Sequence, residues 1–244
     1  PEQRRIAAIL DQADVLRAKR REALAQLDRL TQSIFIEMFG DERIQAGRWP
    51  VVKFEEIVSE SRIGLVRGSQ ELDESNPYPY LRMNAITREG DLRLEGALLA
   101  QATDEEVSVY RLQRGDFLFN TRNSRELVGK TALFRSDELY LFNNNLMRVR
   151  FTDATSPEYV LAAFKTQFIQ GELEVRKSGT TNVYAVYFKD LRTLPVPLPP
   201  IQLQEIFANR VHAIEVLKTS HMTALAELDE LFASLQYRAF RGEL

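Results

Sequence analysis

The stretch RGDFLFNTRNSRELVGKTALF, residues 114–134, holds the side chains best suited to recognition chemistry. An apolar run with Phe117 and Phe119 pointing inward gives way to Asn120, Thr121, Arg122, Asn123, Ser124 and Arg125, then Gly129 and Lys130. Asn and Arg present planar groups that bond base edges in pairs, whereas Ser, Thr and Lys suit phosphate oxygens. KSGTTNVYAVYF, residues 177–188, has the same character, with Lys177, Ser178, Gly179, Thr180, Thr181 and Asn182 ahead of an aromatic run. Glycine there permits close backbone approach to a phosphate, and the hydroxyls can donate to it. YLRMN adds Arg82 and Asn84, expected on one face of a strand and alternating with Leu81 and Met83. Each stretch also has a plainer reading as a solvated polar turn, with Arg122 pairing to an acid such as Glu126 to hold its loop.

Catalytic chemistry has little to build on. With no cysteine, disulfides, thiolate metal sites and cysteine nucleophiles are excluded together. The only imidazoles are His212 and His221, and His221 falls on an apolar helix seam, where a tolerated core histidine is the ordinary case. No P-loop, nucleophile elbow or Gly-x-Gly-x-x-Gly occurs. NPYPY, residues 76–80, lacks the adjacent prolines of an amino-methyltransferase loop and reads better as an extended segment entering a strand.

Three parts must position these residues. Residues 2–39 contain no Gly or Pro and carry apolar side chains at Ile6, Ile9, Leu10, Ala13 and Leu16, then Ala23, Leu24, Leu27, Leu30 and Ile34. Steps of three and four mark one helix face; Lys19, Arg20 and Arg21 interrupt it, and Gly40 with Asp41 stops it. After the breaker LPVPLPPI, residues 194–201, a second run of about 40 residues has a near-heptad seam: Phe207, Val211, Ile214, Leu217, His221, Leu225, Leu228, Phe232, Leu235 and Ala239. QLDRLTQSIFIEMFGD (26–41) also aligns with ELDELFASLQYRAFRG (227–242), as an internal duplication would. Neither stripe can be buried alone, so the two helices are expected to pair antiparallel, with Leu24, Leu27, Leu30 and Ile34 against Leu225, Leu228, Phe232 and Leu235. Between them, WPVVKFEEIV, YPYLRMNAI, DFLFNT, KTALFR, LYLFN, NLMRVRF and NVYAVYF read as short strands separated by turns. One helix is expected at about 156–172, opened by Ser156, Pro157 and Glu158. The fold class is α+β: a mostly β domain at 42–193, carried on a long antiparallel helix pair formed by 1–41 and 194–244.

Net charge is −3, which counts mildly against a protein that coats nucleic acid without specificity. The charge is uneven, however: 110–150 carries eight Lys and Arg against four acids, whereas 42–109 carries eight against thirteen. No apolar run is long enough to span a membrane and no secretory signal opens the chain, so a cytoplasmic location is expected.

The combination resembles the DNA-specificity (S) subunit of type I restriction–modification enzymes. PEQRRIAAILDQADVLRAKRREALAQLDRLTQSIFIEMFGD is similar to that family's central conserved helix, GDFLFNTRNSRELVGKTAL to its target-recognition motif, and LPVPLPPIQLQEIFANRV to the junction into its distal conserved helix. PPIQLQEI departs from the common Pro-Pro-x-x-Glu-Gln pattern, which affects local partner contacts only. The resemblance implies a non-catalytic subunit that reads half of a bipartite double-stranded DNA target. Its helices dock modification (methyltransferase) subunits, and a restriction/motor subunit joins the complex. It also implies no cofactor on this chain: S-adenosylmethionine, ATP and Mg belong to the partner subunits. A full S subunit has two recognition domains, so the chain reads either as a central-helix-to-C-terminus fragment or as a half-size subunit that pairs with a second copy. The start without methionine favours the fragment. Two readings of other classes stand beside this one: a self-contained DNA methyltransferase or nuclease, and a coiled-coil adaptor with no nucleic-acid role.

Overall fold

The computed structural model describes residues 2–40, 47–180 and 182–241. They divide into two compact units, Pro1–Met38 with Ile206–Leu244, and Phe39–Glu205. Asp41 and Thr181 lie outside the described residues.

The first unit is a helix pair, α1 (Glu2–Phe39) and the last helix, α7 (Ile201–Arg241). Cross-helix pairs of Arg17 with Asp229, Asp28 with Lys218 and Phe35 with Phe207 fix an antiparallel alignment. The seam of α7 keeps a strict heptad step, but Lys218 (6% exposed), not Leu217 (52%), occupies the position after Ile214. On α1 the seam steps by four from Leu27 to Thr31 and Phe35, which turns Leu30 outward (45% exposed). Leu30 therefore does not belong to the packing set, and Leu16 is likewise exposed. Leu24, Leu27, Ile34, Leu225, Leu228, Phe232 and Leu235 are half-buried, while Phe35 and Phe207 are fully buried with their rings edge-on at 5.5 Å.

The basic interruption noted on α1 is a polar layer of this seam. Arg17 Nε donates to Asp229 Oδ1 at 2.5 Å, Arg20 Nη1 lies 2.9 Å from His221 Nδ1, and Lys218 Nζ sits 2.8 Å from Asp28. An arginine can only donate, so the Arg20 contact uses an unprotonated Nδ1 on His221. Polar side chains at such positions fix helix register at a cost in stability.

The second unit is built on a four-stranded antiparallel sheet in the order β2 (Val58–Ile63), β9 (Leu146–Phe151), β5 (Phe117–Asn120), β7 (Thr131–Leu133). All four residues of β5 are buried. Phe117 packs on Phe164 and Phe151 at 5.2 and 5.5 Å, while Leu118 joins Leu81, Phe134, Phe142 and Leu146 in a separate core. Both faces of the sheet are therefore covered. A three-stranded sheet orders β4 (Leu98–Ala100), β3 (Tyr78–Leu81), β8 (Leu141–Phe142).

Several local expectations change. WPVVKFEEIV is not one strand: β1 (Val51–Lys53) and β2 flank a helical turn, α2 (Phe54–Ile57), which buries Phe54 and Ile57. The 156–172 helix is two, α4 (Pro157–Ala163) and α5 (Gln167–Glu174), the second capped by Thr166 and the first by Ser156. A further helix, α3 (Asp104–Tyr110), opens on a capping box in which Thr103 accepts from Glu106 N and Glu106 accepts from Thr103 N, a Thr-x-x-Glu spacing legible in the sequence. The unit is thus richer in helix than its strand-like runs indicate. The prolines at 195 and 197 do not simply break the chain: β12 (Pro195–Pro197) pairs antiparallel with β1, Val196 opposite Val52. Proline is tolerated there because this pair forms a two-stranded edge in which alternate residues need no ladder donor. No helix among the described residues is long and apolar enough to cross a membrane.

Candidate nucleic-acid interface

Strand β5 delivers the Asn-Thr-Arg-Asn segment. At its end, Asn120 is wholly buried: Nδ2 donates to the carbonyls of Asn145 (3.0 Å) and Arg122 (3.2 Å), and Oδ1 accepts from Asn123 Nδ2 at 2.8 Å. Asn123 Oδ1 accepts in turn from Ser124 N at 2.9 Å. Thr121 is also fully buried, its N–H donating to Asn145 O and its carbonyl accepting from Val186 N. Asn120, Thr121 and Asn123 are thus corrected from DNA-facing positions to the internal bracing of the corner. The reason is positional: the pleat that turns Phe117 and Phe119 one way turns Leu118 and Asn120 to the other, equally covered, face.

Arg122 emerges exposed from this brace, and no hydrogen bond or ion pair of its side chain occurs among the described residues, Glu126 included. It lies on β6 (Arg122–Asn123), which pairs with β11 (Tyr184–Ala185), itself paired with β10 (Ser178–Gly179). The register sets Arg122 beside Ala185 and Ala185 beside Ser178, so those three share one face of the small sheet. Gly179 is required by close approach: a Cβ there would lie 2.3 Å from Val183 O. Ser178, Gly179, Thr180 and Asn182 are exposed, with Ser178 Oγ donating to Ala185 O at 3.4 Å. The strand expected over NVYAVYF is only Tyr184–Ala185, because Phe188–Leu191 (α6) turns helical.

The remaining cations mostly hold the loops. Arg125 Nε donates to Glu174 Oε1 at 2.8 Å and its guanidinium lies over the Tyr184 ring. Lys177 Nζ meets Glu174 and the Arg125 carbonyl, both at 2.8 Å. Lys130 Nζ donates to the carbonyls of Met83 (3.3 Å) and Ile86, and burial followed by repulsion from Arg88 lowers its pKa. Lys130 and Lys177 are therefore tethers as built, not the freely exposed point charges that the sequence suggests. Ser124 is half-buried, its carbonyl accepting from Leu127 N and Val128 N. Arg82 and Asn84 are exposed, but not on a strand face: β3 ends at Leu81 and Met83–Ala85 forms a 3-10 turn.

The basic excess of 110–150 is mostly engaged in ion pairs as well. Arg148 and Arg150 bind Glu60 at 2.5 and 3.1 Å, and Arg150 Nε meets the buried Asp116 at 2.7 Å. Arg114 pairs with Asp137, and Arg135 with Glu158. Burial would raise the Glu60 pKa, but Arg148, Arg62 and Arg150 outweigh it and hold the carboxyl below its ordinary value. What the fold leaves outward on one connected region is Arg82 and Asn84, Arg88 on the next turn, Arg122, and Ser178, Gly179, Thr180 and Asn182, tied together through Lys130 and Lys177. Sequence reasoning missed Arg88 and, beside it, the exposed Lys165, whose Nζ donates to the Glu89 carbonyl. The first stood in a segment read only as a turn, and the second was hidden inside a helix expected to be continuous.

Comparison with known proteins adds the family. The profile of the type I restriction modification DNA specificity domain matches residues 47–230. The chain is 28% identical over 200 residues to the type I restriction enzyme EcoKI specificity subunit of Escherichia coli, covering 79% of this chain and 42% of that protein. Among solved structures it resembles the HsdS subunit of Thermoanaerobacter tengcongensis (21% identity, TM-score 0.53, 98% of this chain and 57% of that one). It also resembles the type I restriction-modification S subunit of M. genitalium (12% identity, TM-score 0.63, 96% and 59%). The chain thus spans less than half of the Escherichia coli protein and under two thirds of either solved chain.

Proposed function

The chain belongs to the type I restriction modification DNA specificity domain family, and on that premise we propose that it reads one half of a bipartite sequence in double-stranded DNA. The observation that carries this reading is Arg122: an exposed guanidinium without a partner among the described residues, projecting from a corner whose backbone is fully braced. A planar, bidentate donor on a rigid mount is the chemistry that distinguishes guanine in the major groove. Ser178, Thr180 and Asn182 on the adjoining hairpin supply shorter polar contacts, and Arg82 and Asn84 extend the surface.

In this reading the chain is the non-catalytic specificity subunit of a DNA adenine methyltransferase and endonuclease complex. The helix pair docks the modification subunits, which bring S-adenosylmethionine, and a restriction/motor subunit joins with ATP and Mg. A second recognition domain comes either from the rest of a longer chain or from a second copy. A cytoplasmic location goes with such a complex. The test is to sequence methylated motifs in cells carrying the complete system with wild-type chain or Arg122→Ala. Relaxed or shifted methylation at particular base pairs of one half-site supports the reading. An unchanged motif overturns the role of Arg122.

A further inference from the structure

Next to the Arg122 corner lies a cleft of about 450 Å³ whose walls are the 88–90 turn, the 126–131 segment, Phe164 and Lys165 between α4 and α5, and Gln170 and Lys177. Four cations line it, Arg88, Lys130, Lys165 and Lys177, the last already paired with Glu174, against two acids, Glu89 and Glu126. Neither acid forms an ion pair with Arg88 or Lys130 among the described residues, although each attracts one of them: Arg88 helps to lower the Glu126 carboxyl pKa, and Glu89 partly opposes the lowering at Lys130. Glu89 is held by its own backbone N–H and the Thr87 hydroxyl, and Glu126 by its own N–H and the Ser124 hydroxyl, which lowers both carboxyl pKa values. Arg88 makes no hydrogen bond or ion pair among the described residues, and Lys130 bonds only neutral carbonyls. Two glycines also turn the backbone along this wall. Gly90 and Gly129 both adopt φ near +90°, and a Cβ on Gly90 would sit 2.9 Å from Lys165 Cε. Cations gathered beside one another on a glycine-lined wall, with the local carboxylates already engaged, leave positive charge that an anion would relieve.

We propose that this cleft binds a single phosphodiester phosphate of the DNA backbone, with Arg88 as its principal donor and the Lys130 and Lys165 ammonium groups behind it. The inference rests on the DNA-reading function above and adds a division of labour to it. Arg88 anchors without regard to sequence, while Arg122, on the same connected region, discriminates.

The experiment uses the chain assembled with its modification subunits on a duplex containing the target, with single phosphates replaced one at a time by neutral methylphosphonates. With wild-type protein, one replacement should weaken binding roughly 10- to 100-fold, as loss of a charge-assisted bond does. With Arg88→Gln that same replacement should have no further effect, and the salt slope of binding should fall by about 0.9 on target and non-target DNA alike. Arg88 is exposed, so the variant should melt as wild type does, and Arg88→Lys should recover part of the slope. If wild-type protein shows no preference for any sequence, the functional reading itself fails. If it is sequence-specific but no methylphosphonate position couples to Arg88, the cleft proposal fails alone. A titration with inorganic phosphate that moves the Gly90 and Gly129 amide resonances without any such coupling would assign the cleft to a free anion and overturn the DNA contact.

Discussion

Replacing Asn120 separates bracing from base reading. Its amide is fully buried and makes three hydrogen bonds, to the carbonyls of Asn145 and Arg122 and from Asn123. At about 1 kcal/mol net for each, Asn120→Ala should cost about 3 kcal/mol. Two details set the range. Asn145 O keeps its bond from Thr121 N at 2.9 Å, and Asn123 is half-buried and can turn toward water, so the penalty for orphaned groups is small. The loss should therefore fall at about 2–4 kcal/mol, or roughly 4–16 °C in the melting of a domain this size. Asn120→Asp keeps the shape but sets a carboxylate against two carbonyl oxygens. It should be worse than alanine at neutral pH and recover as acid protonates it. The assay is urea unfolding followed by circular dichroism, with target and mismatched duplexes bound in parallel. DNA affinity should weaken for both duplexes by the same factor. An Asn120→Ala variant that unfolds at the wild-type urea concentration but changes its preferred sequence would refute the bracing account.

Arg122→Ala should leave stability within about 0.5 kcal/mol, as expected for an exposed side chain, and cost roughly 1–3 kcal/mol of discrimination at particular base pairs; competition binding against single-base variants measures this. Phe207→Ala removes a fully buried ring from the helix-pair seam and should destabilise by about 3–5 kcal/mol, read by loss of the helical signal at lower denaturant. Leu30→Asp, by contrast, should be nearly silent in the same assay, since Leu30 faces outward. Glu60 has a depressed carboxyl pKa in the fold, so its contribution is complete above the ordinary value of 4.5 and is lost as pH falls through the lower folded value. Glu60→Gln should therefore be less stable than wild type at neutral pH, with the difference shrinking below about pH 4.5 in acid titrations followed by near-ultraviolet circular dichroism.

The long helices were legible because uninterrupted runs free of Gly and Pro repeat an apolar spacing for ten turns. Their exact faces were less so, since Leu217 and Lys218 compete for one seam position and periodicity favours the apolar residue, whereas the long lysine stem can be buried with its ammonium on Asp28. Strand β5 announced itself through FLFN, yet hydropathy does not show that both faces of a short strand are covered, and that coverage is what converts Asn120 from a reader into a brace. Charge counts misled for a related reason. Arg148 and Arg150 stand in sequence as part of a basic patch, but Glu60, nearly 90 residues earlier, is brought beside them only by the pairing of β2 with β9. Arg88 was overlooked because an Arg-Glu-Gly-Asp turn has no signature of its own; only the fold shows that Lys130 borders the same cleft.

The path from Phe119 to Arg122 passes from a dry interior to open solvent in three residues, and the carbonyl of Arg122 is pinned by Asn120. When such a residue meets a base pair, its backbone has almost no freedom left to surrender. An unbraced loop would lose about 1–2 kcal/mol per residue on ordering, so fixing even three residues would consume a discrimination of the size one good base contact provides. Here the ordering was completed during folding, and only the rotamers of one long side chain remain to be frozen at the groove. In the proposed reading, affinity at this corner is thereby set by the fit of the guanidinium to the base, and a wrong base cannot recover its loss by letting the loop relax around it.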